Sequence, residues 1–383
     1  MSKKLILFSL LISYMVASPV YAQQDADSTR GWWKSFVEWM TAYNENLAPE
    51  YVWQSPTDWT VTVENDIYSS GINLSTKGKL NYMDTPELNH EYTWNGLAHS
   101  NWSDEVAVSV TWGSLSIGWG FGLVDNATDE RNTSNYLSFL DAGAGISINY
   151  NSVYSQINSV YHNLVSDSSV ELNTRRPGHY KSLVIEGYDV INKDKFAFNA
   201  CYDGSYVQRR TGGSFLLYAR YIHGSLDFPV DEFEFVDFNN NVMGYKTDQF
   251  FVGVGYGINW VLYHRDPTDG FHGLRNLTIH AVACPLLTFV NRLHYIRGDF
   301  DAATNQWVEV EDKVAAGQPD FNLALRSALC YNFGRFAFSA VFAYSNFNLM
   351  TKGIDFMDNE TDYFESNVNF YDWQALFMLN IRL

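Results

Sequence analysis

Residues 371–383 read YDWQALFMLNIRL, and their alternation decides the fold class. Tyr371, Trp373, Ala375, Phe377, Leu379, Ile381 and Leu383 take the odd positions, while Asp372, Gln374, Asn380 and Arg382 are among the even ones. Successive side chains of a strand point to opposite faces, so this period of two makes one greasy face and one wetter face. Such a strand, in a chain that opens with an export signal, predicts an all-β fold: a transmembrane antiparallel up-and-down β-barrel.

The export signal is read from Lys3 and Lys4, the apolar run Leu5 to Val16, and the small-residue cleavage site Val20-Tyr21-Ala22, which would leave Gln23 as the first mature residue. No cysteine lies near that site, which argues against a lipoprotein. No later run of apolar residues reaches the length of a membrane-spanning helix, so the mature chain is either soluble and exported or a membrane barrel. Composition favours the barrel. Aromatics make up 16% of the chain and charged residues only 18%, against about 25% in ordinary soluble domains. The formal charge of −18 excludes a nucleic-acid partner, which needs a basic footprint. Acids gather in expected loops, at Asp231-Glu232, Glu309-Glu311-Asp312 and Asp355 to Asp362, where a solvated surface is the plainer reading and a divalent-cation site the sharper one.

The expected organisation is a signal peptide over 1–22, an N-terminal periplasmic segment over 23–56 with a Trp-rich amphipathic helix at 31–46, and the barrel over 57–383. Strand periodicity begins at Trp59, Val61 and Val63, whereas residues 66–102 look irregular. Val106, Val108, Val110 and Trp112 share one face, and a Gly113-Ser114 turn leads to Leu115, Ile117, Trp119 and Phe121. Further strands are expected near 135–142, 145–160, 180–190 and 195–207, the last two joined by Asn192-Lys193-Asp194. In 247–263 Phe250, Val252, Val254, Tyr256, Ile258, Trp260 and Leu262 oppose Gly253, Gly255, Gly257 and Asn259; in 320–332 Phe321, Leu323, Leu325, Leu329 and Tyr331 oppose Asn322, Arg326 and Asn332, and after the Asn332-Phe333-Gly334 turn Phe336, Phe338, Phe342 and Tyr344 oppose Ala337, Ser339, Ala343 and Ser345. The second face is too small and too neutral for the wet side of a soluble sheet. Hydrocarbon outside and a polar lumen inside account for both. The count is about 12 strands, within roughly 10 to 14. If both short turns, near 192–195 and 332–335, lie on the periplasmic side, the strands read between them have the wrong parity. A strand has been missed or merged, or one turn is extracellular.

Tyr43-Asn44 to Tyr51-Val52, KFAFNACYDGSYVQRRTGGSFLLYARYIHGS at 195–225, VGVGYGINWVLY at 252–263, Pro285 within its strand, and LALRSALCYNFGRFAFSA at 323–340 together resemble a family of Bacteroidetes-type exported proteins, the domain of unknown function 4421. The resemblance implies an outer-membrane-type barrel and carries no assigned activity or site residues. It covers roughly residues 40 to 383.

The chemistry to look for is modest. Lys195, Asn199, Asp203, Asn259, His280, Asn322, Arg326 and Arg335 are the candidate lumen-lining residues, able to line a pore or to close it with internal ion pairs. An Arg on the lipid face would cost about 2–4 kcal/mol at the midplane, so inward placement is expected. His264, Asp266, Asp269 and His272 form a weak metal-ligand candidate, although Pro267 and Asp269-Gly270 make a polar turn the plainer reading. His223 with Ser225, and His280, are the candidates if the barrel is an enzyme, with partners supplied by neighbouring strands. Cys201, Cys284 and Cys330 lie in apolar strand patterns and read as small strand residues, with one bridge between two of them as the alternative. No cofactor is implied. The expected role is a passive channel or surface scaffold in the outer membrane of a Gram-negative bacterium. The alternatives are an outer-membrane lipid or peptide hydrolase or acyltransferase, and a soluble exported β-protein. The expected partners are outer-membrane lipid and lipopolysaccharide, and the barrel assembly machinery, engaged through 371–383.

Overall fold

A computed structural model describes residues 47–80, 90–99, 103–123, 132–155, 157–163, 167–229, 242–304, 306–316, 321–352 and 363–383. The signal segment and the Trp-rich helix expected at 31–46 lie outside the described residues.

In chain order the strands are β1 (Val52–Gln54), β2 (Trp59–Leu80), β3 (His90–His99), β4 (Ser103–Trp112), β5 (Leu115–Gly122), β6 (Thr133–Leu140), β7 (Ala144–Ser155), β8 (Ile157–Asn163) and β9 (Ser168–Asn173). They continue with β10 (Gly178–Val190), β11 (Tyr206–Gln208), β12 (Gly212–Asp227), β13 (Val242–Arg265), β14 (Arg275–Asp301), β15 (Gln306–Ala316), β16 (Phe321–Phe333), β17 (Phe336–Lys352) and β18 (Tyr363–Arg382). Twelve of them close a ring in the order β2-β4-β5-β6-β7-β10-β12-β13-β14-β16-β17-β18, with β18 pairing back onto β2 from Arg382↔Thr60 to Tyr363↔Lys79. Every neighbouring pair is antiparallel, so the fold is an up-and-down barrel with no free edge in the ring.

One end of the ring carries short turns: Gly113-Ser114, residues 141–143 and Gly334-Arg335. Gly113 and Gly334 take φ of +58° and +56° there, the left-handed backbone that a two-residue hairpin needs. The other end carries the long connections. There β2 and β14 outrun the ring: β3 pairs residues 71–80 of β2, β8 and β9 add to β3, and β15 pairs residues 292–301 of β14. The stretch that looked irregular after residue 66 is therefore one strand continuing to Leu80, because its far half pairs outside the barrel on one side.

The solvent assignment of the two faces holds. Trp119, Phe215, Val254, Phe338 and Phe377 are all about half exposed and point outward, whereas Asn259, Asn276 and His280 are completely buried inside. Single exposed rings are ordinary in soluble proteins, but a continuous apolar belt is a surface that avoids water. Trp59 and Trp112 stack at 6.2 Å at the short-turn end of that belt. Some inward glycines make room for rings. A Cβ on Gly118 would collide with the ring of Tyr136, and one on Gly257 would lie 2.6 Å from the Phe196 ring.

One expected strand is not a strand. Residues 196–201 are buried on both sides rather than alternately. The connection between β10 and β12 turns into the lumen instead, forming a 3-10 turn at Phe198–Cys201 and then β11, which pairs only with β1. A lipid-facing side chain at every second position is what a barrel strand requires, and this segment has none. Removing it from the ring also resolves the parity: the turns at 191–195 and 334–335 sit at the same end, separated by β12, β13, β14 and β16.

Candidate functional site

The segment 196–208 forms a plug across the short-turn half of the lumen, and inward side chains of the wall are committed to holding it. Asn259 on β13 donates from Nδ2 to Ala197 O (2.8 Å) and to Gln208 Oε1 (2.9 Å), while its Oδ1 accepts from His280 Nδ1 at 2.6 Å. Gln208 Nε2 donates to Lys195 O at 2.8 Å, and Asn276 Nδ2 donates to Gln208 O at 2.7 Å. On β18, Asn380 Nδ2 donates to Tyr202 O (3.2 Å), and Arg382 donates to Gly204 O (2.6 Å), to Gly334 O (3.3 Å) and to Asn332 Oδ1. Arg382 is completely buried, and these neutral acceptors are what make a buried guanidinium tolerable. Apolar packing completes the fit. Phe196 and Phe198 pack with Val282, Leu286, Phe251 and Leu216 of the wall, and the ring of His280 is stacked by Phe196 and met edge-on by Phe198 and Tyr202.

The plug is also tied to the residues around it. Phe198 N donates to Ala142 O at 3.0 Å, Tyr206 OH donates to Asp141 Oδ1, and Ser55 N donates to Ser205 O at 2.8 Å. Asp203 accepts from Asn199 Nδ2 and from Ser205 N, both at 2.8 Å. Burial outweighs those bonds and pushes its carboxyl up to about 6. Burial raises the Asp141 carboxyl in the same way.

Above the plug, ion pairs cross the lumen. Arg326 on β16 reaches Glu186 on β10 at 2.5 Å, Arg220 on β12 approaches the other oxygen of Glu186 at 3.1 Å, and Arg220 Nη1 donates to Ser345 on β17 at 3.1 Å. Beside these struts lies a cavity of about 360 Å³, floored by Tyr202 and Asp203. Glu64, Asp66, Glu105 and Asp372 line its other wall, with Asp66 and Glu105 directly opposite one another across β2 and β4. Gln374 Nε2 donates to Asp66 Oδ2 at 2.5 Å, and Ser134 donates to Glu105.

The residues singled out from sequence separate by height. Asn259 and His280 hold the plug; Asn322 faces in and donates to Thr288 at 2.8 Å; Arg326 forms a strut; Asn199 and Asp203 belong to the plug itself. Lys195 and Arg335 lie exposed at the short-turn rim rather than in the lumen, Lys195 near the Tyr51 ring and Arg335 near the Phe271 ring. Their strands have already ended there. His264, Asp266, Asp269 and His272 fall at or within the 266–274 turn. His264 Nε2 lies 2.8 Å from Asp266, Arg209 pairs with the same carboxylate, and these contacts hold the Asp266 carboxyl below its ordinary value, the His264 bond foremost. Among the described residues no three of His, Cys, Asp and Glu converge on a metal position. His223 does not face the lumen. It points outward, with Nδ1 2.8 Å from Asp248 Oδ1, because Ile222 and Gly224 take the inward positions. A Ser169–His162 pair at 2.7 Å, with Asp167 at 3.5 Å from the other ring nitrogen, sits on the β8–β9 hairpin, but Asp167 is almost fully exposed.

The plug, missed from sequence, had one legible sign. Turn formers at Asp203-Gly204-Ser205 cut its alternation after residue 202, short of the roughly 9–11 residues a membrane strand needs.

The model of the family described as Domain of unknown function (DUF4421) matches residues 50–370. The chain belongs to this family. No curated protein matches it. Solved barrels show faint likeness to this DUF4421 member: the β domain of the Bordetella autotransporter BrkA (8% identity, 81% of this chain and 98% of that one, TM-score 0.30), the translocator domain of the autotransporter NalP from Neisseria meningitidis (10%, 94% and 98%, 0.27) and the Escherichia coli outer membrane protease OmpT (8%, 84% and 97%, 0.32). The DUF4421 match thus spans the described barrel from the strand that pairs with the plug to the middle of β18.

Proposed function

We propose that this protein is an exported, stoppered barrel of the Gram-negative outer membrane, acting as a scaffold and binding cup at the cell surface rather than as a passive channel. The observation that carries the reading is the plug: residues 196–208 occupy the lumen, and Asn259, Asn276, Asn380 and Arg382 are spent on its backbone. A diffusion pore needs an uninterrupted wet path, whereas this lumen is filled at one end and crossed by the Glu186 ion pairs above. Short turns belong on the periplasmic side and long ones outside, so the cup with its acidic wall opens to the cell exterior.

The outer surface supports the placement in a membrane. Across β7, β10, β12, β13 and β14 the paired row Ile148–Ile185–Tyr221–Phe250–Val290 is apolar or aromatic, and the row after next, Ser152–Lys181–Ser225–Lys246–His294, is polar throughout. The row between them holds His223, Asp248 and Arg292. A change from hydrocarbon to headgroup over one or two residues fits the outer boundary of a bilayer, with lipid phosphate or lipopolysaccharide as the partner of the cationic side chains. The closing strand β18, which contains residues 371–382, is the segment through which assembly machinery would engage.

Planar-bilayer recording of the purified protein tests the reading. The expected result is no sustained conductance. Steady open-channel steps from the intact protein would overturn it in favour of a channel. The enzyme alternative rests on the exposed Ser169–His162 pair, and labelling of Ser169 by a serine-directed phosphonate would favour it.

A further inference from the structure

We propose that Cys201 and Cys330 are joined by a disulfide that latches the plug to the barrel wall. Cys201 ends the 3-10 turn of the plug and Cys330 faces inward from β16; each is 1% exposed. The two side chains pack in one buried cluster with Ala328, Ala337, Val341 and Met378. Asn332 Nδ2 also points at the Cys330 sulfur, at 3.3 Å. Two cysteines buried side by side in one cluster are the pair placed to form a bond of about 2.05 Å. Cys284 is excluded by position: it packs in the separate cluster around Phe198 and Leu286, its sulfur 3.8 Å from Pro285 O.

The inference rests on export, because thiols stay reduced in a cytosol and pair in an oxidising envelope. Forming the bridge removes one hydrogen from each thiol, as two protons and two electrons. The acceptor is the disulfide of an envelope thiol–disulfide oxidoreductase, which leaves as a dithiol after passing through a mixed disulfide with one of the two cysteines. Both sulfurs are sealed once the plug seats, so the exchange belongs to folding, before the lumen closes. The bridge would tie residue 201 to a strand far along the chain and so restrict the plug in every partly unfolded state.

The test has two arms. Protein taken from outer-membrane fractions is quenched in acid, denatured, alkylated and weighed. One alkylated cysteine, Cys284, is expected before reduction and three after it, with a peptide linking Cys201 to Cys330. Three alkylated thiols before reduction would overturn the latch while leaving the membrane reading intact, and absence from the fraction would overturn that reading instead. In the second arm the protein is refolded in detergent under a glutathione redox buffer, which probes the geometry independently of location. Cys284→Ser is expected to show no free thiol, and Cys201→Ser to leave Cys330 reactive on denaturation. Reducing the bridged form is expected to speed proteolysis within 196–208 by roughly tenfold. Free thiols in refolded Cys284→Ser, or a linkage through Cys284 in the unsubstituted chain, would overturn the proposal.

Discussion

The two halves of the lumen are lined by the same kind of strand and end up in different states. At the short-turn end the inward residues are mostly neutral amides, hydroxyls and small side chains, and they meet a stretch of backbone that has amides and carbonyls to pair. At the long-loop end the inward residues include Glu64, Asp66, Glu105, Asp372, Glu186, Arg220 and Arg326, and a cavity remains between them. Neutral donors and acceptors can be buried when each finds a partner, so they close around protein. Carboxylates gathered together, as Glu64, Asp66, Glu105 and Asp372 are, cannot be packed dry against one another cheaply, so a cavity stays between them. The comparison teaches that side-chain charge, more than ring size, decides whether a narrow barrel fills or stays hollow.

The largest expected effect comes from removing the closed half altogether. Replacing 196–205 by a short Gly/Ser connection should convert a silent protein into one with steady conductance in planar bilayers; continued silence would show that the ion pairs above the plug are themselves a seal. Next is Arg382→Ala, which strips the donor from Gly204 O and Gly334 O. A loss of about 3–5 kcal/mol is expected, read as an earlier urea midpoint in detergent. Glu186→Gln leaves Arg220 and Arg326 without their shared carboxylate and should cost about 3 kcal/mol on the same measurement, while leaving protease resistance of the plug nearly unchanged.

Asp203 gives the comparison a pH dependence. Its folded value near 6 lies above the ordinary 3.8, so below pH 6 the folded state holds a proton that the unfolded chain releases until about pH 4. Stability from this group is therefore full at about pH 4 and lost as pH rises through 6. Asp203→Asn should flatten the pH 4–7 profile by about 1–3 kcal/mol, with Asp141, raised in the same direction, accounting for slope that remains. The smallest effect separates two glycines. Gly257→Ala presses on Phe196, which is locked in the plug, and should cost about 1–3 kcal/mol; Gly118→Ala presses on Tyr136, which has the cavity beside it, and should cost less.

How far the sequence could be read differs between these halves. Val254, Phe338 and Phe377 were legible as lipid-facing because alternation on one strand is a local signal, and Asn259 and Arg326 as inward for the same reason. Lys195 followed the same pattern in 195–207 and was misplaced, because its segment alternates without ever joining the ring. For His223 the sequence leaves either face open, because a histidine suits either solvent, and only the inward burial of Ile222 and Gly224 assigns its side.

The sequence by itself determined the class: a period of two with hydrocarbon on one side and small or polar residues on the other specifies which solvent each face meets, strand by strand. Tertiary structure alone decided that the lumen is closed. That outcome depends on pairs such as Arg382 with Gly204, 178 residues apart, and Thr62 with Asn380, 318 apart. Local propensity cannot encode such meetings; they exist only once the twelfth strand has closed on the first and brought the wall around the plug.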